Sequence, residues 1–390
     1  MGQRGGVRIA YITESFLPDL NGMAHTAVRV AEHLTSQGHK PLVIAPEPAN
    51  GMPRPDADLP FPVVRIPSVG LPLYGGFRVS LPGTRLRAAV AAHRADLVHL
   101  AGPVVTGWSG GAAARKLDLP SLAVYATDMA AYARAYHIGR AGEAFAWRHL
   151  RRIHNATDRT LAPSSASATE LRSHGFERIS VWGRGVDTAR FDPAKRSAAL
   201  RAQLAPGGEI IVGYVGRVAA EKRVPLLAGI TRLPGVKLVI VGGGPEEQTA
   251  RRALPGAVFL GPRSGNDLAT IYASFDVFAH AGPHETFGNT LQEAAASGLP
   301  VVAPATGGPL DIVEDGVTGY LVPPGDETTI AAAVARLVTD RELREAQADA
   351  ARRLMLRRTW AAKCDELIGH YESLLARRGG TIESEARAAA

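Results

Sequence analysis

The feature that most constrains this chain is a rhythm: short apolar runs recur along it, each followed by a segment of helical periodicity. VRIAYI (7–12), PLVIA (41–45), PVVRIP (62–67), DLVHLAG (96–102) and SLAVYA (121–126) are rich in Val, Ile and Leu, the pattern of parallel strands covered on both faces. Between the first two, HTAVRVAEHLTSQG (25–38) is amphipathic and ends on Gly38, where a helix C-cap is expected. TDRTLAPS (157–164) and ISVWGRG (179–185) continue the series, and the polar, Pro/Gly-punctuated stretch 186–209 reads as a linker. A second series then follows: IIVGYVGR (210–217), VKLVIVGGG (236–244), AVFLGP (257–262), DVFAHAG (276–282) and LPVVAPATGG (299–308). Two βαβ series of similar size predict an α/β protein of two doubly wound, Rossmann-like domains facing across a cleft. Ligands of such sheets bind beyond the carboxyl ends of the strands, so the cleft is the expected site.

Length agrees, since 390 residues exceed one typical core. The expected domains are 1–195 and 205–358, followed by a helix at about 359–376 with Trp360, Cys364, Leu367, Tyr371 and Leu374 on one side, and a mobile tail, 377–390. Cys364 is the single cysteine, which excludes an intramolecular disulfide and fits a reducing compartment. No run of about 18 apolar residues marks a transmembrane helix, and the start, MGQRGGVRIAYI, lacks the apolar core of a signal peptide. The expectation is a cytoplasmic protein. A net charge of +7 favours anionic partners such as nucleoside diphosphates or anionic lipid, or is simply a solvated basic surface. Nucleic acid is disfavoured, because only 6% of residues are aromatic and no recognition motif is present.

Three stretches carry chemistry. VGRVAAEKR (215–223) follows a strand and opens a helical turn, offering backbone N–H groups with Arg217 and Lys222, an arrangement suited to a diphosphate. An ordinary turn with two solvated bases explains it equally well. VGGGP (241–245) is a second strand-to-turn junction, and it is not the dinucleotide fingerprint GxGxxG. HETFGNTLQE (284–293) sets Glu285 in a turn and Glu293 in the helix behind it. Eight positions along a helix span roughly 12 Å, whereas glycosidase carboxyl pairs stand about 5 Å or about 6.5–9.5 Å apart. A direct acid/base pair is disfavoured. A capping acid plus a helix-surface acid remains the simple alternative to a clamp around a nucleotide sugar, with Glu293 on ribose, Glu285 on the sugar and the amides of residues 287–290 on the phosphates.

Together these stretches resemble the retaining family 4 glycosyltransferases of GT-B architecture. The resemblance rests on ESFLPDLNG (14–22), GRVAAEKR, VGGGP, HETFGNTLQE with EAAASGLPVVAP behind it, and GGPLDIVEDGVTGYLVPPGD (307–326), in the family order. AGPHETFG, DLVHLAGP (96–103) and RRIHNATDRTLAPS (151–164) make the chain most similar to actinobacterial GDP-mannose-dependent α-mannosyltransferases that act on phosphatidylinositol mannosides or glycolipids.

The resemblance implies roles residue by residue. Arg217 and Lys222 serve the donor diphosphate with Gly216 and Gly243 in the turns around it, and both cations, with Glu285 and Asp128, form the expected catalytic set. Glu285 takes the donor sugar, Thr286, Phe287, Gly288 and Asn289 form the loop beneath it, and Glu293 takes ribose. Gly22 approaches the diphosphate from the acceptor side, with Asn21, Tyr74 and Asp128 on the acceptor. The helix from Trp360 crosses back to complete the acceptor domain, and domain closure assembles the site. Two positions depart from the family pattern. Asn21-Gly22 stands where Gly-Gly is usual, and Ala126 stands where many members carry a His, leaving Asp128 or Thr127 to take part of its role or the register of the match to differ there. His25, His99 and His284 are other candidates, each of which reads equally as a structural histidine.

No resident cofactor is implied: the nucleotide sugar is a co-substrate. DAD (56–58) lies in the Pro-rich loop PRPDADLPFP, away from the donor motifs, and reads as a solvated loop, so no metal is expected. LPLYGGFRVSLPGTRLRAAVAAHR (71–94) joins an apolar loop to Arg78, Arg85, Arg87 and Arg94. That pattern suits peripheral contact with anionic membrane or a core helix with a basic outer side. The expected activity is transfer of mannose from GDP-mannose to a hydroxyl of a lipid or glycolipid. The alternatives are a UDP-sugar transferase with a small soluble acceptor and, from another class, a nucleotide- or nucleic-acid-binding module without catalysis.

Overall fold

The computed structural model of the chain describes residues 6–19, 21–49, 51–70, 78–80, 84–126 and 139–389. They divide into two compact units. Unit 1 comprises the chain up to Pro163, Ala168–Gly183 and everything from Lys363 on; unit 2 comprises Ser164–Ser167 and Arg184–Ala362.

Among the described residues, unit 1 contains β1 (Arg8–Thr13), β2 (Lys40–Pro46), β3 (Val63–Ile66), β4 (Ser68–Gly70), β5 (Arg78–Ser80), β6 (Leu97–Ala101), β7 (Ser121–Val124), β8 (Arg159–Ala162) and β9 (Ile179–Val181). Seven of them form a parallel sheet in the order β3-β2-β1-β6-β7-β8-β9. The short antiparallel pair β4–β5 stands outside it. Ile9, Ala10, Tyr11 and Ile12 of β1 are all buried, as two covered faces require.

Unit 2 contains β10 (Ile210–Val215), β11 (Val236–Val241), β12 (Val258–Gly261), β13 (Val277–Ala279), β14 (Val301–Pro304) and β15 (Gly319–Val322), parallel in the order β12-β11-β10-β13-β14-β15. In both sheets the winding reverses beside the first strand, between β1 and β6 and between β10 and β13. Such a switch point leaves a crevice at the carboxyl ends, because the connections leave it in opposite directions.

One expectation is corrected. Residues 186–209 are not a linker: Val186, Phe191, Leu204 and Ala205 belong to the unit 2 core. Their intervening arginines are anchored too, Arg196 Nη2 and Arg201 Nη1 lying 2.6 and 2.9 Å from the two carboxylate oxygens of Asp276. The last helix runs Trp360–Ala389 and takes in residues 377–389. Cys364, Leu367, Tyr371 and Leu374 are its buried residues. Within unit 1 the helix is tied to the sheet by Tyr371 Oη, 2.6 Å from His99 Nδ1 on β6, and by Arg159 Nη1 of β8, 2.8 Å from both His370 Nδ1 and Ser373 Oγ. His99 is a structural histidine; burial pushes its pKa down to about 3.

Candidate active site

In unit 2 the loops leaving β10, β11, β13 and β14 pack on one another at the carboxyl end of the sheet. Gly242 has φ +127, and a Cβ there would fall 2.0 Å from the Gly216 carbonyl oxygen. Only glycine lets these two turns approach so closely. Val218 N–H then donates to the Gly243 carbonyl (2.9 Å), and Glu246 N–H to the Val218 carbonyl (3.0 Å).

The loop after β10 closes a short 3-10 turn, Ala220–Lys222. Arg217 lies exposed at its start with Nη2 2.5 Å from Glu221 Oε1. Lys222 points the other way: its Nζ is 2.6 Å from Glu285 Oε2, with only 20% and 17% of the two side chains exposed. Glu285 is held at two more points and has an imidazole just beyond hydrogen-bond range. Its Oε1 accepts from Gly288 N–H (3.2 Å), its carbonyl accepts from Gly308 N–H (2.6 Å), and His280 Nε2 lies 3.7 Å from Oε2. Burial alone would raise the Glu285 carboxyl, but the Lys222 ammonium, then His280 and the Gly288 amide, outweigh it and hold it below the usual carboxylate range.

Gly288, at φ +90, is the left-handed residue that lets the chain turn into the helix Asn289–Ala296. Thr286 and Asn289 are exposed, and the Arg184 guanidinium lies 5.8 Å from the centre of the half-buried Phe287 ring. Glu293, within that helix, has a different environment from Glu285. It accepts from Tyr272 Oη (3.0 Å), and burial pushes its pKa up to about 7 against that hydrogen bond and Arg190. Among the described residues the two acids share no hydrogen-bond partner.

In unit 1 the carboxyl end of β1 carries Glu14, 2% exposed. Its Oε1 accepts from the N–H groups of Val104 (2.7 Å), Val105 (2.8 Å) and Gly107 (3.0 Å). Its Oε2 accepts from Thr106 N–H (3.1 Å) and Thr106 Oγ1 (2.7 Å). The carboxylate thus caps the helix Thr106–Lys116, where helix polarity favours an anion. Asn21 caps the helix Gly22–Ser36 by accepting from Met23 and Ala24 N–H, and it donates to Ser15 Oγ (2.7 Å). Gly22, exposed, is the first residue of that helix. The Asn in place of a first glycine therefore has a local use: it satisfies two amides that a glycine would leave to solvent.

In the DAD stretch Ala57 and Asp58 are exposed, as a solvated loop would have them, but Asp56 is a brace. Asp56 takes a bidentate contact from Arg65 (2.9 and 2.5 Å), which also donates to the carbonyls of Pro46 (3.0 Å) and Leu17 (2.7 Å). It thereby fixes the loop after β1. Among the described residues no group of three or more His, Cys, Asp or Glu is gathered as metal ligands would be. Tyr74, Thr127 and Asp128 lie outside the described residues, Ala126 follows β7, and His25 and His284 are exposed. Sequence reasoning gave no role to Glu14, Tyr272 or His280. For Glu14 the available signal was an acid placed directly behind an apolar strand.

Comparison with known proteins agrees with this geometry. Residues 20–190 match the glycosyltransferase family 4 and residues 196–354 the glycosyl transferases group 1. The chain is 45% identical over 375 residues, 96% of its length and 98% of the relative's, to a GDP-mannose-dependent alpha-mannosyltransferase of Mycobacterium tuberculosis. A protein of the same description from Corynebacterium glutamicum is 41% identical over 95% of this chain and 90% of its own. Among solved structures, Anabaena HepE in complex with UDP superposes with a TM-score of 0.73 at 22% identity, covering 94% of this chain and 100% of the other. That likeness shows the two-domain GT-B fold.

Proposed function

Since the chain belongs to the family 4 glycosyltransferases, we propose that it moves mannose from GDP-mannose to a hydroxyl of a lipid or glycolipid, retaining configuration at the anomeric carbon. Glycosyl transfer is the family's reaction; the donor is the one named for relatives 45% and 41% identical over nearly the whole chain.

The observation that carries the site assignment is the Lys222–Glu285 pair at the carboxyl end of the unit 2 sheet, an ammonium and an ionised carboxylate 2.6 Å apart and largely buried. In this reading unit 2 binds the donor. Lys222 and Arg217 take the diphosphate among the turns at Gly216 and Gly243, and Glu285 takes sugar hydroxyls over the loop Thr286–Asn289. Glu293 takes the ribose. As the glycosidic bond breaks, the leaving diphosphate gains negative charge, and cations already in place stabilise that charge without reorganisation. Unit 1 binds the acceptor, with Asn21 and Gly22 at the start of their helix and Tyr74 and Asp128 as further contacts. No metal is required.

The acceptor assignment includes peripheral contact with the inner face of an anionic membrane. Arg85 and Arg94 are exposed on and after the helix Thr84–Ala92, and among the described residues no helix is long and apolar enough to cross a membrane.

A donor panel tests the function. With membrane lipid as acceptor, GDP release from GDP-mannose should exceed UDP release from any UDP-sugar by roughly tenfold or more. Faster release of UDP would overturn the donor assignment.

A further inference from the structure

His280 directly follows β13 and is 1% exposed. Among the described residues neither of its ring nitrogens has a hydrogen-bond partner. A buried imidazole without one is costly, so such a group is worth explaining. Its ring lies parallel to that of Tyr214, with centres 5.9 Å apart and planes 10° apart. Tyr214 is itself fixed, because its hydroxyl donates to the Arg217 carbonyl (3.0 Å). Nε2 is therefore held at the one place where it faces Glu285 Oε2, at 3.7 Å, while a Cβ at Gly282 would come within 3.2 Å of it.

That distance is about 0.8 Å longer than an ordinary N–H···O bond. Oε2 already has a donor, because Lys222 occupies it at 2.6 Å. The proposed function gives Lys222 another partner, the donor diphosphate. An ammonium drawn toward phosphate leaves a largely buried carboxylate short of a donor at the moment when it must be aimed at the sugar. A neutral imidazole can supply that donor through Nε2–H without adding a charge that would compete for the phosphates. Burial, aided by the nearby Lys222 ammonium, pushes the His280 pKa down to about 4 against the opposing pull of Glu285 and of a weak backbone contact at Gly282, so the ring is neutral at physiological pH.

We propose that His280 is a positioning residue for the donor sugar: when Lys222 turns from Glu285 to the diphosphate, His280 Nε2–H takes its place on Oε2 and keeps the carboxylate aimed at the sugar hydroxyls. The inference rests on the reading of Lys222 and Glu285 given above and adds an exchange of partners to it. It also explains why a histidine occupies an otherwise apolar strand end.

The test compares His280→Phe, which keeps the stacked ring and removes the donor, with His280→Gln, which returns an N–H. GDP affinity should stay within about twofold in both, because GDP carries no sugar. Transfer from GDP-mannose should fall roughly 10- to 100-fold in the Phe variant and recover to within about fivefold of the parent in the Gln variant. In a Glu285→Ala background, His280→Phe should cost nothing further. Parent-like transfer by His280→Phe, equal losses in GDP binding and transfer, or additive losses with Glu285→Ala would each overturn the proposal. If His280→Phe does not fold, the Gln variant still decides: transfer as poor as that of Glu285→Ala, with GDP binding intact, refutes it. Should Glu285→Ala itself transfer normally, the fault lies instead in the reading of the site.

Discussion

Glu14 and Glu285 stand on opposite sides of the winding reversal, each in its own unit, and differ sharply in their partners. Each stands in the loop leaving a strand beside the winding reversal of its sheet, and each is largely buried. Glu14 spends both oxygens on five fixed donors, four of them backbone amides at the start of one helix. Its carboxylate is fully satisfied by the protein and has nothing left for a ligand. Glu285 has one amide, one long-armed ammonium and an imidazole just out of reach. The ammonium can leave for a better anion while the carboxylate stays. Topology brings an acid to the strand end in both units; under the proposed function, whether its partners can leave separates a brace from part of a ligand site.

Exchanging the two acids for alanine should break this comparison cleanly. Glu285→Ala should lower transfer roughly 10²–10³-fold, the scale of losing one preorganised polar group at a reacting centre, with a modest loss of GDP affinity and little change in melting temperature. Glu14→Ala leaves four amides at a buried helix start without an acceptor, a cost of about 3 kcal/mol, read as a fall of about 5–10 °C in the unfolding of unit 1. GDP stabilisation of unit 2 should persist in the Glu14 variant. A Glu14→Ala protein that melts like the parent yet fails to transfer would give Glu14 a role in the reaction and erase the contrast.

How much of this was legible beforehand follows the same division. The strands were readable because a parallel sheet covered on both faces demands uninterrupted Val, Ile and Leu, as in VRIAYI and VKLVIV. GYLV, which forms β15, passed unnoticed inside a turn-rich stretch. Residues 186–209 read as a linker because Val186, Phe191 and Leu204 are spaced among polar residues, and nothing local tells that Arg196 and Arg201 end on Asp276. Asp56 looked solvated for the same reason, its partner Arg65 being nine positions away. In the site, Lys222 and Glu285 are 63 positions apart; no spacing rule joins them, and only the family resemblance put both at one ligand. Glu14 lay inside a recognised motif without a role, and His280 was hidden in a strand's apolar run, since a buried donor without a partner exists only in three dimensions.

Removing the mobile partner sharpens the comparison at intermediate cost. Lys222→Met should weaken GDP binding roughly tenfold, as expected for a lost charge-assisted contact to phosphate. It should also reverse the pH dependence that Glu285 gives to stability. In the parent the Glu285 carboxyl is depressed in the folded state. The pair therefore contributes stability above the ordinary carboxyl range, and that contribution is lost as pH falls through the depressed value. Without Lys222, only His280 and the Gly288 amide oppose burial; burial should then prevail and raise the folded carboxyl above its ordinary value, so stability declines as pH increases. The melting-temperature gap between parent and variant should therefore widen from about pH 5 to about pH 8. Parallel movement would mean that Lys222 does not hold Glu285 ionised.

The smallest effect belongs to Glu293, which is neither a satisfied brace nor an ion pair. Burial raises its carboxyl to about 7 from an ordinary value of 4.5, so the folded protein keeps a proton that the unfolded chain has already released. Its contribution to stability is therefore complete below the ordinary value and is lost as pH rises from there through about 7. Ribose hydroxyls donating to the carboxylate would favour its ionised form. GDP binding near pH 6 should then release a fraction of a proton, and the release should vanish above about pH 8. Calorimetry in two buffers of different ionisation enthalpy measures it directly. Tyr272→Phe removes the hydrogen bond that partly offsets burial, so it should raise the carboxyl further and move the release to higher pH. Proton uptake on binding, or none at any pH, would remove Glu293 from the ribose and leave it as a buried acid of the helix alone.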